Sequence, residues 1–190
     1  MIYVLSLDLS LSNTGYVVFG YQTGWKPVIA GLTETKREAS KRKTFIIVDN
    51  IRRAQDIAAE LDKLHKRYSF KALVAEKPEG SQSAVSARCM GTIEGVIATF
   101  SEIYQLPLFW FDLRNIKQTM TGTKKADKAD MIEAAADLYP EFAKKYFPKG
   151  QKKSFAGKAE HIADAIGVMK EAKKHENIRM LARLAKGTLQ

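Results

Sequence analysis

The stretch IYVLSLDLSLSNTGYVVFGY, residues 2–21, decides the fold that we predict for this chain. Residues 2–9 form a run of β-branched residues and leucines that is typical of a buried strand. Residues 11–15, LSNTG, are typical of a turn, and residues 16–21 predict a second strand. A third strand is predicted at 27–33, after a further short turn. Three strands joined by short turns indicate an antiparallel meander.

The rest of the chain alternates helices and strands. Apolar residues recur at three- and four-residue steps along 41–66 and 81–104, which predicts two long helices. A short apolar strand follows each of them, at 71–76 and 108–111, and the last part is expected to be helical with a basic loop at 140–157. Because a helix between two strands usually makes a right-handed crossover, strands one, four and five should be parallel. The predicted fold class is α/β, a five-stranded mixed sheet with an antiparallel hairpin arm plus parallel strands, flanked by helices.

The composition restricts the class of protein. The chain has 190 residues, of which 45% are apolar, and this suits a single domain over 1–190 with a helical C-terminal tail at about 175–190. Cys89 is the one cysteine, which excludes an internal disulfide scaffold and a cysteine-based zinc site, and a reducing cytoplasm is the expected compartment. No apolar run approaches the ~18 residues that span a bilayer, and the N-terminus has no signal-peptide pattern.

The net charge is +10, which favours a polyanionic partner. Nucleic acid is favoured over a membrane surface, because no long amphipathic helix with a single basic face is evident. A lysine-rich solvated surface without any polyanionic partner is the alternative interpretation.

Two carboxylates lie at strand ends that the predicted sheet brings side by side. Asp8 lies at the end of the first strand and Glu76 at the end of the fourth. Ligands of open α/β sheets bind outside the carboxyl ends of the strands. Two carboxylates at one edge repel each other unless a cation or a proton lies between them. The alternative for each residue alone is a carboxylate that ends a strand and faces water.

A third carboxylate and a histidine come from the segment AEHIADAIGV, residues 159–168. His161 and Asp164 are three positions apart and share one face of the predicted helix. A carboxylate among small and apolar residues is costly unless it is paired or bound to metal, whereas His161 could also be a surface histidine. Three acids and one imidazole suit Mg²⁺, with Mn²⁺ as a substitute, better than a soft metal. Two such ions ~3.5–4 Å apart are a known device for cleaving phosphodiesters.

Lysines near the fifth strand supply a predicted phosphate-binding surface. Lys117 follows that strand, and Lys124, Lys125 and Lys128 lie at the start of a predicted helix. Lysines and backbone N–H groups at a helix N-terminus form a cradle for phosphate. A solvated charge cluster is the alternative for Lys124 and Lys125. Four further lysines before His161 are expected to add electrostatic attraction to a DNA arm without a catalytic role; they are Lys149, Lys152, Lys153 and Lys158.

Other conspicuous residues are given structural roles. Asp127, Asp130 and Glu133 share one face of a predicted helix and are interpreted as a solvated acidic face with lysine partners. Cys89 is expected to be a buried structural thiol. Trp25 and Trp110 are expected to be packing residues.

The chain resembles the RuvC-type Holliday junction resolvases, of the RNase H-like superfamily, in the order of its acidic motifs. These motifs are LDLSLSNTGY with Asp8, LVAEKP with Glu76, and AEHIADAIGV with His161 and Asp164. The segment LPLFWFDLRNIKQTMTGTKKADKADM is similar to the segment after the family's fifth strand, whose two lysines fall on Lys117 and Lys128. The match covers roughly residues 1–172.

The resemblance implies an RNase H-like fold, a homodimer and the activity of a crossover junction endodeoxyribonuclease. Such an enzyme, acting in recombination and repair, hydrolyses four-way DNA junctions by paired symmetric nicks with Mg²⁺ or Mn²⁺. A two-fold dimer fits a junction with two-fold symmetry. The implied setting is the cytoplasm of a bacterial or phage-infected cell, with branched DNA as the partner and with neither a membrane nor a small-molecule substrate.

The resemblance also assigns residues. The helix after Glu76 would lie in the dimer interface through a stripe that includes Val85, Cys89 and Ile93. Lys117 is assigned both a catalytic role and a role in DNA binding. The residues assigned to catalysis and metal binding are Asp8, Glu76, His161 and Asp164.

Two departures from the family pattern leave alternatives open. Leu9 and Ser10 stand where the family usually has Pro-Gly, and Glu79 stands where bacterial members carry an aromatic wedge that opens the junction. A phage-type or otherwise divergent member with a broader specificity for branched DNA would fit these departures. The open alternatives are a debranching nuclease, a junction-binding protein without catalysis, and an ATPase of the sugar-kinase or actin type. The last needs a duplicated domain, for which 190 residues leave too little room.

Overall fold

The structure is a computed structural model that describes residues 1–38, 45–78, 80, 83–147 and 153–187, with side chains in the last range from residue 158 onward. Within these ranges, no helix is both long enough and apolar enough to cross a bilayer.

One mixed sheet of five strands organises the described chain. Its strands are β1 (Ile2–Asp8), β2 (Asn13–Tyr21), β3 (Trp25–Glu34), β4 (Ala72–Glu76) and β5 (Leu108–Phe111). They lie in the order β3-β2-β1-β4-β5. The pairs β1–β2 and β2–β3 are antiparallel, whereas β1–β4 and β4–β5 are parallel. The predicted sheet is therefore confirmed, including its hairpin arm and its parallel half.

Helices cover both faces of the sheet. In the described ranges they are α1 (Ile46–Tyr68), α2 (Ala84–Ile103), α3 (Leu113–Thr121), α4 (Lys128–Leu138), α5 (Pro140–Tyr146), α6 (Lys153–Ala172) and α7 (Glu176–Gly187). Because side chains alternate along a strand, Leu5 and Leu7 of β1 pack in the core with α1 and α2. Val4 packs in the second core on the opposite face, with α3, α4, α6 and α7. Between these apolar residues, the buried Ser6 hydroxyl donates a hydrogen bond to the carbonyl oxygen of Ala165 in α6 (2.6 Å).

A glycine allows α6 to lie against the sheet. Asp8 of β1 pairs with Gly15 of β2, and a Cβ atom at Gly15 would lie 2.5 Å from the backbone oxygen of His161. No other residue fits without a shift of the backbone. Gly15 was expected in a turn, but the turn is shorter than predicted and β2 already begins at Asn13.

The predicted basic loop at 140–157 is wrong where the structure describes it. Pro140 begins the short helix α5, at a position where its missing N–H group costs no intrahelical hydrogen bond. The helix α6 begins at Lys153, well before the predicted loop ends. Residues 148–152 lie outside the described residues.

The apolar pattern of α1 is only partly buried. The predicted stripe began at Phe45, Val48 and Ile51, but these side chains are exposed, while Ile57 and Leu61 lie in the core. Residues 41–44 of the predicted helix lie outside the described residues.

One of the three packing predictions is confirmed, one holds in part and one is wrong. Trp25 is buried in the core that contains α6, as expected. Cys89 packs against the core that contains α1 and α2, but it is only partly buried. Trp110 is 37% exposed on the edge strand β5.

Candidate functional site

The carboxyl ends of β1 and β4 form the floor of a cavity of about 230 Å³, which we call the acidic cavity. Leu7 pairs with Ala75 in the parallel ladder, so the next residues, Asp8 and Glu76, emerge side by side, as the sequence predicted. The acidic cavity is lined by Asp8, Glu76, Leu113, Lys117, Asp127, Lys128, Met131, Glu160, His161 and Asp164. The four predicted acidic-site residues therefore share one cavity with two of the predicted lysines.

His161 contacts Asp8 directly. The Nδ1 atom of His161 lies 2.5 Å from Oδ2 of Asp8, across the close approach of α6 to Gly15. The hydrogen bond to Asp8 raises the pKa of His161, and the negative charges of Glu160 and Asp164 act in the same direction against the effect of burial. The carboxylates thus favour a protonated imidazole, which offsets part of their own charge.

Asp164 lies one turn further along α6. Burial raises the pKa of Asp164 to about 7, and repulsion from Asp8 and Glu160 adds to this effect. The positive charges of His161 and Lys117 oppose the shift but do not cancel it. Asp164 therefore holds its proton more tightly than an ordinary aspartate, chiefly because of its burial and in part because other carboxylates surround it.

Glu160 is a site residue that the sequence analysis missed. Its Oε1 atom lies 2.6 Å from Nζ of Lys128, which begins α4. The side chain of Glu160 is mostly buried, whereas that of Lys128 is largely exposed. The spacing of Glu160 to Asp164 is four positions, which places both on one face of a helix, and this signal was available in the sequence.

Asp127 was interpreted as part of a solvated acidic face; it is exposed, as expected, and it also caps the helix α4. Its side chain accepts a hydrogen bond from the N–H of Asp130, and the Asp130 side chain accepts one from the N–H of Asp127. This capping box begins α4 and brings Lys128 to the acidic cavity. Asp130 and Glu133 line a separate cavity together with Lys170.

The remaining predicted lysines do not line the acidic cavity in the described structure. Lys124 and Lys125 are exposed in the turn between α3 and α4. Lys158 pairs with Glu34 across 3.1 Å. Lys149 and Lys152 lie outside the described residues.

The donor set of the acidic cavity has the chemistry of a site for hard cations, but its side chains are not arranged as a finished cage. Among the residues that the structure describes, no three His, Cys, Asp or Glu side chains are grouped so that they could hold an ion as they stand. Asp8 is engaged by His161 as the side chains stand. Carboxylate oxygens and an imidazole are suitable ligands for Mg²⁺ or Mn²⁺, and the raised pKa of Asp164 indicates a carboxylate that a cation would stabilise.

No protein-family model and no curated protein sequence matches this chain. Solved structures do share its fold. T. thermophilus RuvC in complex with a Holliday junction substrate has a TM-score of 0.68 at 15% identity, over 96% of this chain and 98% of that one. The yeast mitochondrial Holliday junction resolvase Ydc2 has a TM-score of 0.57 at 14% identity, and the match covers 99% of this chain and 86% of that one. Fowlpox virus resolvase with its substrate Holliday junction DNA has a TM-score of 0.50 at 14% identity, and the match covers 88% of this chain and 93% of that one.

The chain therefore has the RNase H-like fold of RuvC-type resolvases, and the resemblance inferred from the motifs is confirmed at the level of the fold.

Proposed function

We propose that this protein is a metal-dependent, structure-selective DNA endonuclease that resolves four-way Holliday junctions by paired symmetric nicks. The observation that carries the proposal is the acidic cavity, where Asp8, Glu76, His161 and Asp164 meet beside Lys117. The fold supports it, because similar structures were solved as resolvases and two of them with Holliday junction DNA. The proposed place of action is the cytoplasm of a bacterial or phage-infected cell, in recombination and repair.

The residues that would hold Mg²⁺ or Mn²⁺ are the three carboxylates Asp8, Glu76 and Asp164, together with the imidazole of His161. Bound divalent ions supply an activated water and charge stabilisation at the scissile phosphate. An imidazole must be neutral to bind metal, so His161 would lose one ring proton when the site is loaded. Proton release on metal binding is therefore part of the proposal.

The lysines orient the phosphodiester. Lys117 lines the acidic cavity and lies close enough to Asp164 to lower that residue's pKa, so its ammonium group can stabilise charge on the scissile phosphate. Glu160 holds Lys128 at the rim of the same cavity. Lys124 and Lys125, exposed in the adjacent turn, would bind phosphates further along the strand.

A homodimer would supply the two active sites that paired nicks require. The stripe first assigned to the interface does not suit this role, because Ile93 is 1% exposed and packs in the core between α2 and the sheet. Gly91 and Gly95 lie on the exposed side of α2, and the space around a Cβ at either position is open. A partner helix could approach closely along this side, which is therefore the proposed dimer face.

The test is cleavage of a synthetic four-way junction by the purified protein with Mg²⁺, with both nicks mapped. Two symmetric nicks, absent on linear duplex of the same sequence, are expected. Equal rates on junctions, Y-forks and duplex would support the alternative of a general debranching nuclease. Junction binding in Ca²⁺ without nicking in Mg²⁺ or Mn²⁺ would support a non-catalytic binding protein.

A further inference from the structure

A second cavity, of about 410 Å³, lies against the same two carboxylates on the side of α2. Asp8 and Glu76 line both this cavity, which we call the α2 cavity, and the acidic cavity. Its walls are the loop at residues 9–12 and the first turns of α2. Whatever occupies the α2 cavity therefore lies next to the group held in the acidic cavity.

The two cavities differ in charge. Lys117 and Lys128 line the acidic cavity, whereas no lysine or arginine is found among the described residues that line the α2 cavity. Asp8 and Glu76 are the charged residues among the described lining of the α2 cavity, and they disfavour a phosphate there. The lining therefore suits an uncharged part of a nucleotide better than its phosphate.

The walls of the α2 cavity combine apolar surface with hydrogen-bonding groups. Leu9, Pro78, Val85, Met90 and Ile93 supply apolar surface. Hydroxyl groups of Ser10, Ser12 and Ser86 and the thiol of Cys89 supply donors and acceptors. Apolar walls with a few polar groups are typical of a site for a flat organic ligand, and a nucleobase is the part of a nucleotide with these properties.

A buried arginine fixes one wall of the α2 cavity. Arg53 of α1 is 4% exposed and donates hydrogen bonds to Oγ of Ser12 (2.6 Å) and to Oγ1 of Thr35 (2.9 Å). The backbone N–H of Thr35 also donates to the carbonyl oxygen of Ser12 (2.9 Å). The loop after Asp8 is thereby tied to β3 and α1, so the wall is preformed rather than shaped by its ligand.

From these observations we infer that the α2 cavity is a nucleobase subsite, which receives the unstacked base of the nucleotide adjacent to the scissile phosphate. The inference rests on the proposed function, since it takes the scissile phosphate to lie in the acidic cavity. A paired base within a duplex is not available to enter such a cavity, whereas bases at a branch point are more easily unstacked. The subsite would thus contribute to selectivity for branched DNA.

Cys89, the one cysteine of the chain, makes the subsite accessible to a chemical probe. We expect a four-way junction, bound in Ca²⁺ so that it is not cleaved, to slow the reaction of Cys89 with an aryl maleimide by about tenfold, because a base in the cavity would exclude the reagent from the thiol. The same junction with abasic residues at the crossover nucleotides of all four strands should bind but protect Cys89 little. Equal protection by both junctions, or by neither, would overturn the inference.

The matched control moves the thiol to a distant surface. Lys63 of α1 is largely exposed, and Lys63→Cys combined with Cys89→Ala should react at the same rate with and without either junction. A change in this control would mean that the junctions act on the reagent or on the whole protein. Light scattering of the labelled protein would report whether modification alters its oligomeric state.

Cleavage provides the second readout. An abasic residue next to the mapped nick should lower the cleavage rate in Mg²⁺ by about tenfold, while one placed a half-turn or more away should leave it unchanged. Equal rates for both substrates, with normal nicking, would sink the subsite and leave the nuclease intact. Absence of any nicking would instead contradict the proposed function, and the Cys89 protection experiment would still test the cavity.

Discussion

Asp49 and Asp164 lie on helices that pack against opposite faces of the sheet, and their surroundings shift their pKa values in opposite directions. Burial raises the pKa of Asp49, which is 5% exposed, but a hydrogen bond from Arg52 (2.8 Å), one from the backbone of Glu38 and the charge of Arg53 outweigh it, so the pKa is lowered. Burial raises the pKa of Asp164 to about 7, and its neighbours Asp8 and Glu160 add repulsion.

The difference separates Asp49, a structural carboxylate, from Asp164, for which we propose a role in metal binding. Asp49 is neutralised by arginines of its own helix, and this network holds the loop after Asp8 through Arg53. Asp164 is largely buried beside other carboxylates and, among the described residues, has no arginine partner of this kind, so its pKa is raised, as is common for carboxylates at functional sites. Substitutions of the two aspartates and of nearby residues test this distinction, and the largest effect is expected at Asp8.

Asp8→Asn should reduce junction cleavage by roughly 10³-fold or more, because the metal contribution to the transition state is several kcal/mol. Affinity for the junction in Ca²⁺ should change little, since the fold and the lysines are kept. Mapped nicking on a labelled junction and a gel-shift titration measure the two quantities. Cleavage within tenfold of the wild type would remove Asp8 from the proposed metal site.

Asp49→Asn should destabilise the protein by about 3 kcal/mol, because it leaves the buried Arg53 without its carboxylate and removes one carboxylate partner of Arg52. Urea denaturation at pH 7 measures the free energy of unfolding. The pH dependence has a definite sign: because the pKa of Asp49 is lowered in the folded state, its stabilisation is present above pH 4 and is lost as the pH falls below it. An unchanged free energy of unfolding would show that the network is not structural.

Mg²⁺ should stabilise the wild-type protein by about 2.7 kcal/mol at 100 times its dissociation constant. Asp8→Asn and Asp164→Asn should show much less stabilisation, because each removes a proposed ligand. Thermal melts across a Mg²⁺ titration at pH 8 measure this, with Lys63→Cys as a variant that should respond like the wild type. Equal stabilisation of all four proteins would place the ion elsewhere.

Asp164→Asn should stabilise the metal-free protein at pH 8 by on the order of 2 kcal/mol, after allowance for partial solvent exposure. The folded state holds a proton on Asp164 up to about pH 7, whereas an ordinary aspartate loses it near 4, so the free energy of unfolding of the wild type should fall as the pH rises between these values. The contribution of this residue to that fall should be missing in Asp164→Asn. Destabilisation by Asp164→Asn would make Asp164 resemble Asp49, and the contrast between them would fail.

Lys124→Ala should have the smallest effect. Its ammonium group is exposed outside the acidic cavity, so its loss should weaken junction binding by a few-fold and reduce the salt dependence of binding by about one ion. The cleavage rate at saturating protein should stay the same. A large fall in that rate would mean that Lys124 reaches the scissile phosphate.

The strand order and the four acidic-site residues were predictable from the sequence, because they depend on local pattern and on the handedness of the chain. Strand alternation, turn residues and right-handed crossovers give the strand order, and the strand order puts Asp8 beside Glu76. The helical spacing of His161 and Asp164 then adds them to one face.

Other features could not be predicted, because they depend on distances between segments far apart in the chain. Apolar periodicity marks Phe45 and Ile51 as helix-face residues, but it does not reveal whether another segment covers them, and the structure leaves both exposed. The pairing of Lys128 with Glu160 joins two helices across a gap of thirty-two residues.

The sequence by itself determined which residue types stand at the carboxyl edge of the sheet, since strand pattern and handedness are local properties. Only the tertiary structure decided that Asp49 is balanced while Asp164 is not, and that a second cavity, with no lysine or arginine in its described lining, adjoins the first. Burial and electrostatic compensation depend on every neighbour in space, and no one-dimensional pattern contains those neighbours.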